Sequence, residues 1–299
     1  MFDSKEYDLI IPDTVEAIGS CSFYSTYFRH LIIPANVKYI GKEAFQFSKF
    51  SHITFNKGLE YIGEGAFEYT NLTQFTIVET IKYIGYNAFP YGTEIINNSK
   101  YLSVKNGLIY DNEERLLMSS CSTAEVILLP ESLEVIASHV FWGDEKVRKI
   151  KTGSSLNTIC DYAFCACSNL REISLSSSVK YIGESVFEGC NNLCSIVSLS
   201  PHFEVVDDAL YDKEDCRLIV YYGIDKVYKI KTGTKIIGRS AFYEIKNLQK
   251  VILPKSVCEI RRWAFEDCEN LKEIIVQNPD CVFEDDDFDM TLVKYDFSD

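Results

Sequence analysis

The 299-residue chain has no run of about 18 or more apolar residues, which excludes a membrane-spanning helix. Its start, Met1-Phe2-Asp3-Ser4-Lys5-Glu6, lacks the basic and apolar segments of a secretory signal. A cytoplasmic location is therefore expected for the chain as written; the alternative is a cell-surface or secreted protein whose leader has been removed. Basic charge is short, with 30 Lys+Arg against 44 Asp+Glu and a formal net charge of -14. Affinity for phosphate backbones comes mainly from Lys and Arg, so no nucleic-acid partner and no membrane insertion are expected.

Motifs that carry chemistry are missing as well. Histidines number four, no serine sits in a G-x-S-x-G elbow, and neither glycine-rich phosphate loop occurs. The acidic run Glu284 to Asp289 lacks the spaced ligands and glycine of an EF-hand loop. The cysteines number eleven, an odd count that rules out full internal pairing, and they form no C-x-x-C pair for zinc. Cys167, Cys190 and Cys268 each lie three residues after a repeated phenylalanine. They read as buried, reduced thiols packing as small hydrophobes, although Cys167 and Cys190 could be neighbours close enough for an incidental disulfide. No catalytic residue, cofactor or metal is expected.

What the chain has in abundance is one short phrase: Ile18-Gly19…Phe23, Ile40-Gly41…Ala44-Phe45, Ile62-Gly63…Ala66-Phe67, Ile84-Gly85…Ala88-Phe89, Ile136…Phe141, Ile159…Phe164, Ile182-Gly183…Phe187, Ile237-Gly238…Phe242 and Ile260…Phe265. The steps from one of these isoleucines to the next are 22, 22, 22, 52, 23, 23, 55 and 23. A period in the low twenties marks stacked coils in one continuous core. Eleven strand segments recur with it, beginning at Leu9, Leu31, Ile53, Phe75, Ile127, Ile150, Ile173, Ile196, Ile230, Val251 and Ile274, each followed by a turn, a second short extended piece and a helical or irregular return.

The two long intervals match each other. Tyr101-Leu102-Ser103-Val104…Leu108-Ile109-Tyr110…Arg115-Leu116-Leu117 aligns with Phe203-Glu204-Val205-Val206…Leu210-Tyr211…Arg217-Leu218-Ile219, and each alternation of apolar runs with polar turns predicts a strand entering a hairpin. The expected plan is a single domain over 1–299: N-terminal coils 1–99, first insert 100–120, middle coils 121–200, second insert 201–223, C-terminal coils 224–280 and a degenerate cap 281–299.

The Ile-Gly-x-x-Ala-Phe phrase, Cys190-Asn191-Asn192-Leu193 and Cys268-Glu269-Asn270-Leu271, the strand-ending Pro12, Pro34, Pro130 and Pro254, and the insert at Gly107-Leu108-Ile109-Tyr110 resemble the BspA-like leucine-rich repeats over nearly the whole chain. The resemblance implies a β-rich, right-handed solenoid with a parallel sheet on a concave face, in a bacterial or protist family often found at cell surfaces and associated with adhesion. The expected function is non-catalytic, protein–protein interaction or adhesion through that face, with a host or neighbouring-cell surface protein as partner and a monomeric state. The alternative is recognition of carbohydrate or extracellular matrix at a bacterial surface. A third reading is an enzyme on a solenoid scaffold.

The repeated isoleucines and phenylalanines are committed to the core, so binding residues must face outward. In the L-x-x-I-x-L register the outward column carries His30 and His52 early and Lys149, Lys151, Lys229, Lys231 and Lys250 late, which makes an anionic protein or glycan a candidate ligand. Tyr39, Tyr61 and Tyr83 precede the repeat isoleucine in consecutive coils. They form a self-stacking ladder over a sheet edge or a set of rings for a sugar or protein. His30 and His52, one period apart, are expected side by side, with a shared metal as a minor alternative.

Overall fold

Alternate buried and exposed residues along each strand segment leave the chain one way to satisfy its backbone, which is to stack strand on strand. A computed structural model describes residues 7–50, 52–55, 57–285 and 288–296. The expectations drawn from Met1 to Glu6, and from Asp286 and Asp287 of the acidic run, lie outside the described residues. The fold is a β-solenoid with no α-helix among the described residues, and none of them forms a helix long and apolar enough to cross a membrane. Two compact units emerge, Met1–Ala124 with Ser132–Phe141, and Glu125–Glu131 with Trp142–Asp299.

In the first unit each coil gives one strand to a long-strand parallel sheet and a two-residue strand to another. Leu9–Ile10, His30–Ile33 and His52–Phe55 pair in register, as do Gln74–Ile77 and Glu94–Asn97. The short strands Ala17–Ile18, Tyr39–Ile40, Tyr61–Ile62 and Tyr83–Ile84 make the second sheet. Leu31 and Ile33, Ile40 and Ile62 point inward and are fully buried. Proline marks the turn between the two kinds of strand, because its carbonyl accepts from the residue three on: from Val15 at Pro12, from Val37 at Pro34.

The return is the irregular alternative. Around Phe45, Glu43 and Phe47 have φ of 55° and 60°, and around Phe67, Gly65 and Tyr69 have 58° and 57°. Left-handed residues two before and two after the core phenylalanine forbid a helix. Backbone bonds there run between coils, from Phe45 N–H to the Ala66 carbonyl and from Phe67 N–H to Ala88. The glycine of the repeated phrase serves close approach: a Cβ on Gly63 would sit 2.7 Å from Gly41 C and Lys42 N of the preceding coil. Stacked glycines thus set how closely those coils can approach.

Both inserts are hairpins with a third strand. Leu102–Lys105 and Leu108–Asp111 turn through Asn106 and Gly107, at φ 51° and 77°, and Phe203–Val206 and Ala209–Asp212 turn through Asp207 and Asp208, at 48° and 55°. Two consecutive left-handed residues are what a two-residue type I′ turn needs. The third strands, Leu116–Ser120 and Arg217–Tyr221, run antiparallel to the second and then parallel to the next short strand, with Leu117 opposite Ile136 and Leu218 opposite Ile237. Each insert therefore rejoins the repeat in the column of its short strands.

The second unit repeats the plan. Val126–Leu128, Lys149–Lys151, Glu172–Leu175 and Ser195–Ser198 form one parallel sheet, and Val227–Lys229, Lys250–Leu253, Glu273–Val276 and Val293–Tyr295 another. The last pairing makes the degenerate cap a true coil. Two strand assignments change. The segment expected at Ile230 is Val227–Lys229, with Tyr228 opposite Val251. Glu94–Asn97 is an additional strand, in which the pairing of Gln74 with Glu94 spans a shorter step than that of His30 with His52.

Candidate binding face

Strand alternation sends the expected lysines to the solvent side of the second unit, but its register sorts them differently. Lys149 lies opposite Val126 and Glu172, and Lys151 opposite Leu128 and Ser174. In the next sheet Val227 takes the place opposite Lys250, and Lys229 the place opposite Ile252. Lys229 is therefore the counterpart of Lys151 and not of Lys149, and Lys231 falls beyond the strand end. The cause is Tyr228, which fills the inward site and is buried with Ile230. Counting one full period back from Val251 finds it.

Most of these lysines are already answered by carboxylates. Lys149 bonds Glu172, its neighbour across the ladder, and Lys231 bonds Glu204 while lying 5.6 Å over the Tyr211 ring. Lys250 reaches Glu273 at 2.5 Å, and Lys294 bonds the same carboxylate. The hydrogen bond from Lys250, then that from Lys294, holds the Glu273 carboxyl below its usual value. Among the described residues no ion pair holds Lys151 or Lys229. A uniformly basic column does not form, because Lys149, Lys231 and Lys250 are each neutralised by a carboxylate, and exposed pairs of this kind contribute little to stability.

What the four-stranded sheet does expose is apolar. Val126 and Leu128 stand outward on its first strand, Val197 on its last and Leu199 just past it, with Leu128 69% and Leu199 70% exposed. Lys149, Lys151, Glu172 and Ser174 lie between these two flanks.

In the first unit His30 and His52 are ladder partners with ring centroids 6.3 Å apart, and His30 Nε2 is 2.7 Å from Thr54 Oγ1. No group of three or more His, Cys, Asp or Glu among the described residues is arranged to hold a metal. Both rings line a cavity of about 890 Å3 with Arg29, Gln74 and Thr76. It opens where no ladder joins His52–Phe55 to Gln74–Ile77. Arg29 grips Asp8 through two bonds of 3.0 Å, and that hydrogen bonding lowers the Asp8 carboxyl.

Tyr39, Tyr61 and Tyr83 do form a ladder, on the short-strand sheet. Tyr61 and Tyr83 stack at 4.8 Å with planes 7° apart, and Tyr39 tilts at 6.2 Å. Burial pushes both the Tyr61 and Tyr83 phenols up from their usual value. Rings stacked this way give their faces to one another and leave edges for a ligand, which suits a sheet cover better than a sugar platform. A second row escaped the sequence reading: Tyr24, Phe47 and Tyr69 stand exposed, Phe47 stacked on Tyr69 at 4.6 Å. Phe47 and Tyr69, each two residues after the repeat phenylalanine, were the available signal, with Tyr24 one position off that register.

None of the eleven cysteines is in a disulfide. Burial lifts Cys121 to about 11 and Cys165 to about 12, and it carries Cys167 and Cys190 well above the usual thiol value. Thiolate is the reactive form. In timed alkylation of the native chain read by mass spectrometry, exposed Cys21, Cys194 and Cys258 are expected to react first and Cys167 and Cys190 last. Early labelling of Cys167 would contradict this packing.

A family model described as BspA type leucine rich repeat region matches residues 3–104, 116–232 and 220–292, in six copies. Among solved structures, the chain is similar to a leucine-rich repeat protein from Eubacterium ventriosum at 19% identity and a TM-score of 0.63, over 96% of this chain and 80% of that one. It is also similar to the pneumococcal vaccine antigen PcpA at 19% identity and a TM-score of 0.55, over 96% and 73% of the two chains. At such identity the likeness speaks for the fold alone. No curated protein matches the chain.

Proposed function

Because the chain belongs to the BspA-type leucine-rich repeat family, we propose that it is a non-catalytic protein-binding module. Its partner docks on the four-stranded sheet Val126–Leu128, Lys149–Lys151, Glu172–Leu175 and Ser195–Ser198 of the second unit. The observation that carries this reading is the exposure of Val126, Leu128, Val197 and Leu199 on one paired sheet. Large apolar side chains exposed at both edges of one sheet give a partner two anchoring points. The charges between them are paired across the ladder, as Lys149 with Glu172, so burial of apolar area supplies affinity and Lys151 orients the partner. The partner is thus a protein with two apolar patches on either side of an acidic group. No cysteine is in a disulfide in this fold, so the face needs none to form.

A photoreactive residue in place of Leu128 tests this in cells that make the protein. One discrete protein adduct is expected there and none from the same residue at Tyr39, on the short-strand sheet. Adducts from Tyr39 alone would assign binding to the tyrosine side instead.

A further inference from the structure

The second insert returns to the repeat by a shorter path than its neighbours. From the short-strand position to the start of the next long strand the numbering advances by 13 in one flanking coil (Ile182 to Ser195) and by 13 in the other (Ile237 to Lys250), but by 9 in the insert (Leu218 to Val227). So much less chain cannot fill the return side of that layer. The flanking turns meet across part of the gap: Ser185 and Ser240 hydroxyls lie 3.1 Å apart, and Asn191 Nδ2 donates to Glu244 Oε2 at 2.7 Å. The rest stays open as a notch of about 410 Å3, within the range of small-ligand sites.

The notch has an apolar floor and a polar, charge-balanced rim. Val220 and Tyr221 are buried beneath it, and Tyr222 and the exposed Ile224 form its lip. The chain turns at Gly223, where any Cβ would lie 2.4 Å from the Tyr221 hydroxyl. Asn191 and Asn192 stand on one wall, Glu244, Lys246 and Asn247 on the other. Carboxamides offer donors and acceptors together, while Glu244 and Lys246 offer one charge of each sign. A ligand of net charge meets a like charge here. One bearing several hydroxyls over a C–H face meets matching groups everywhere.

We propose that this notch is a binding site for a neutral saccharide unit, with its C–H face on Tyr222 and Ile224 and its hydroxyls bonded to Asn191, Glu244 and Asn247. The notch borders the last strand of the protein-binding sheet, since Cys194 lines it and Tyr222 bonds the Ile196 backbone, but its ligand contacts none of Val126, Leu128 and Val197, so either site stands without the other.

The test is a titration of the isotope-labelled full chain with the methyl glycosides of glucose, galactose, mannose and N-acetylglucosamine, followed by amide chemical shifts. At least one glycoside is expected to give saturable shifts at residues 191–194, 222–224 and 244–247, with a Kd of about 1 mM. Asn191→Ala and Tyr222→Ala should each weaken it by at least about tenfold, equivalent to about 1.4 kcal/mol; Lys57→Ala, on the exposed surface of the first unit, should leave it unchanged. Because Asn191 is exposed, its variant remains informative if the Tyr222 variant fails to fold. No saturable shift with any of the four, shifts elsewhere only, or binding that survives both variants overturns the proposal. Shifts in the notch with a blocked tripeptide and none with the glycosides overturn it in favour of a peptide site.

Discussion

Phe67→Ala is expected to cost the first unit about 3–5 kcal/mol. The ring is fully buried between Phe45 at 5.4 Å and Phe89 at 6.0 Å, nearly parallel to both, with Phe75 tilted against it at 5.7 Å. Removing it opens a cavity that two neighbouring coils share, and neither can collapse into it while Gly63 keeps their backbones in contact. In a stacked repeat each coil touches only its neighbours, so the loss should be local. Hydrogen exchange on the full chain is the readout, because a stack need not unfold in one step. Protection should fall at residues 40–90 and persist more than two coils away. A uniform loss throughout the chain, or a change below about 1 kcal/mol, would contradict a core held by this ladder.

Arg217→Ala should cost about 3–5 kcal/mol while Arg115→Ala, the arginine that sequence alone aligns with it but whose place in the ladder is one residue earlier, stays within about 0.5 kcal/mol. Arg217 has a side chain only 5% exposed, donates to Glu184 Oε1 at 2.7 Å and to the Ile182 carbonyl at 2.8 Å, and lies 3.8 Å from Asp212. Alanine would take from the mostly buried Asp212 carboxylate its only cation among the described residues, leaving it the Glu214 and Asp215 N–H groups, would remove the Ile182 carbonyl's side-chain donor, and would leave Glu184 to Arg261 at 2.6 Å. An unpaired buried charge is the costly outcome of breaking such a pair. Arg115 has a side chain 59% exposed beside Glu113 and Glu134, at 3.1 and 3.7 Å, where screening leaves little to lose. Urea unfolding of both variants makes the comparison. Equal losses would mean that the alignment, and not burial, governs the role of these arginines.

That pair shows where sequence periodicity stops being informative. The period placed the core isoleucines and phenylalanines and paired the two inserts, because inward positions must repeat if coils are to stack, but it matched Arg115 with Arg217, whereas the ladder puts Leu117 and Leu218 in the same place and Arg217 where the first insert has Leu116. The one-residue difference separates the two arginines: Arg217 lies within its strand and is covered, while Arg115 precedes the strand that begins at Leu116 and is exposed. Apolar spacing failed where one coil deviates. Tyr228 took an inward site usually held by isoleucine or valine, so Ile230 was read one step late and Lys231 was assigned a column it does not occupy. Glu94–Asn97 hid behind a step shorter than the period. The ion pairs that neutralise Lys149 and Lys250 could be inferred only after the register was known, because Glu172 and Glu273 are a full period away in the chain and adjacent across the ladder. The notch beside the second insert was countable, as a step of 9 against 13 from the numbering of Leu218 to Val227 and Ile237 to Lys250, but a shortfall in a loop has no meaning until the layer it leaves unfilled is seen.

The claim that binding is carried by the apolar flanks of the second unit's sheet is tested most directly by the affinity of the cross-linked partner for the wild type and for Leu128→Asp with Val197→Asp. Both positions are exposed, so the fold should tolerate the change. A Kd raised by about 100-fold or more, with Lys149→Ala changing it by less than about threefold, is the predicted result. An unchanged Kd for the double variant, or a larger loss from Lys149→Ala, would contradict the account.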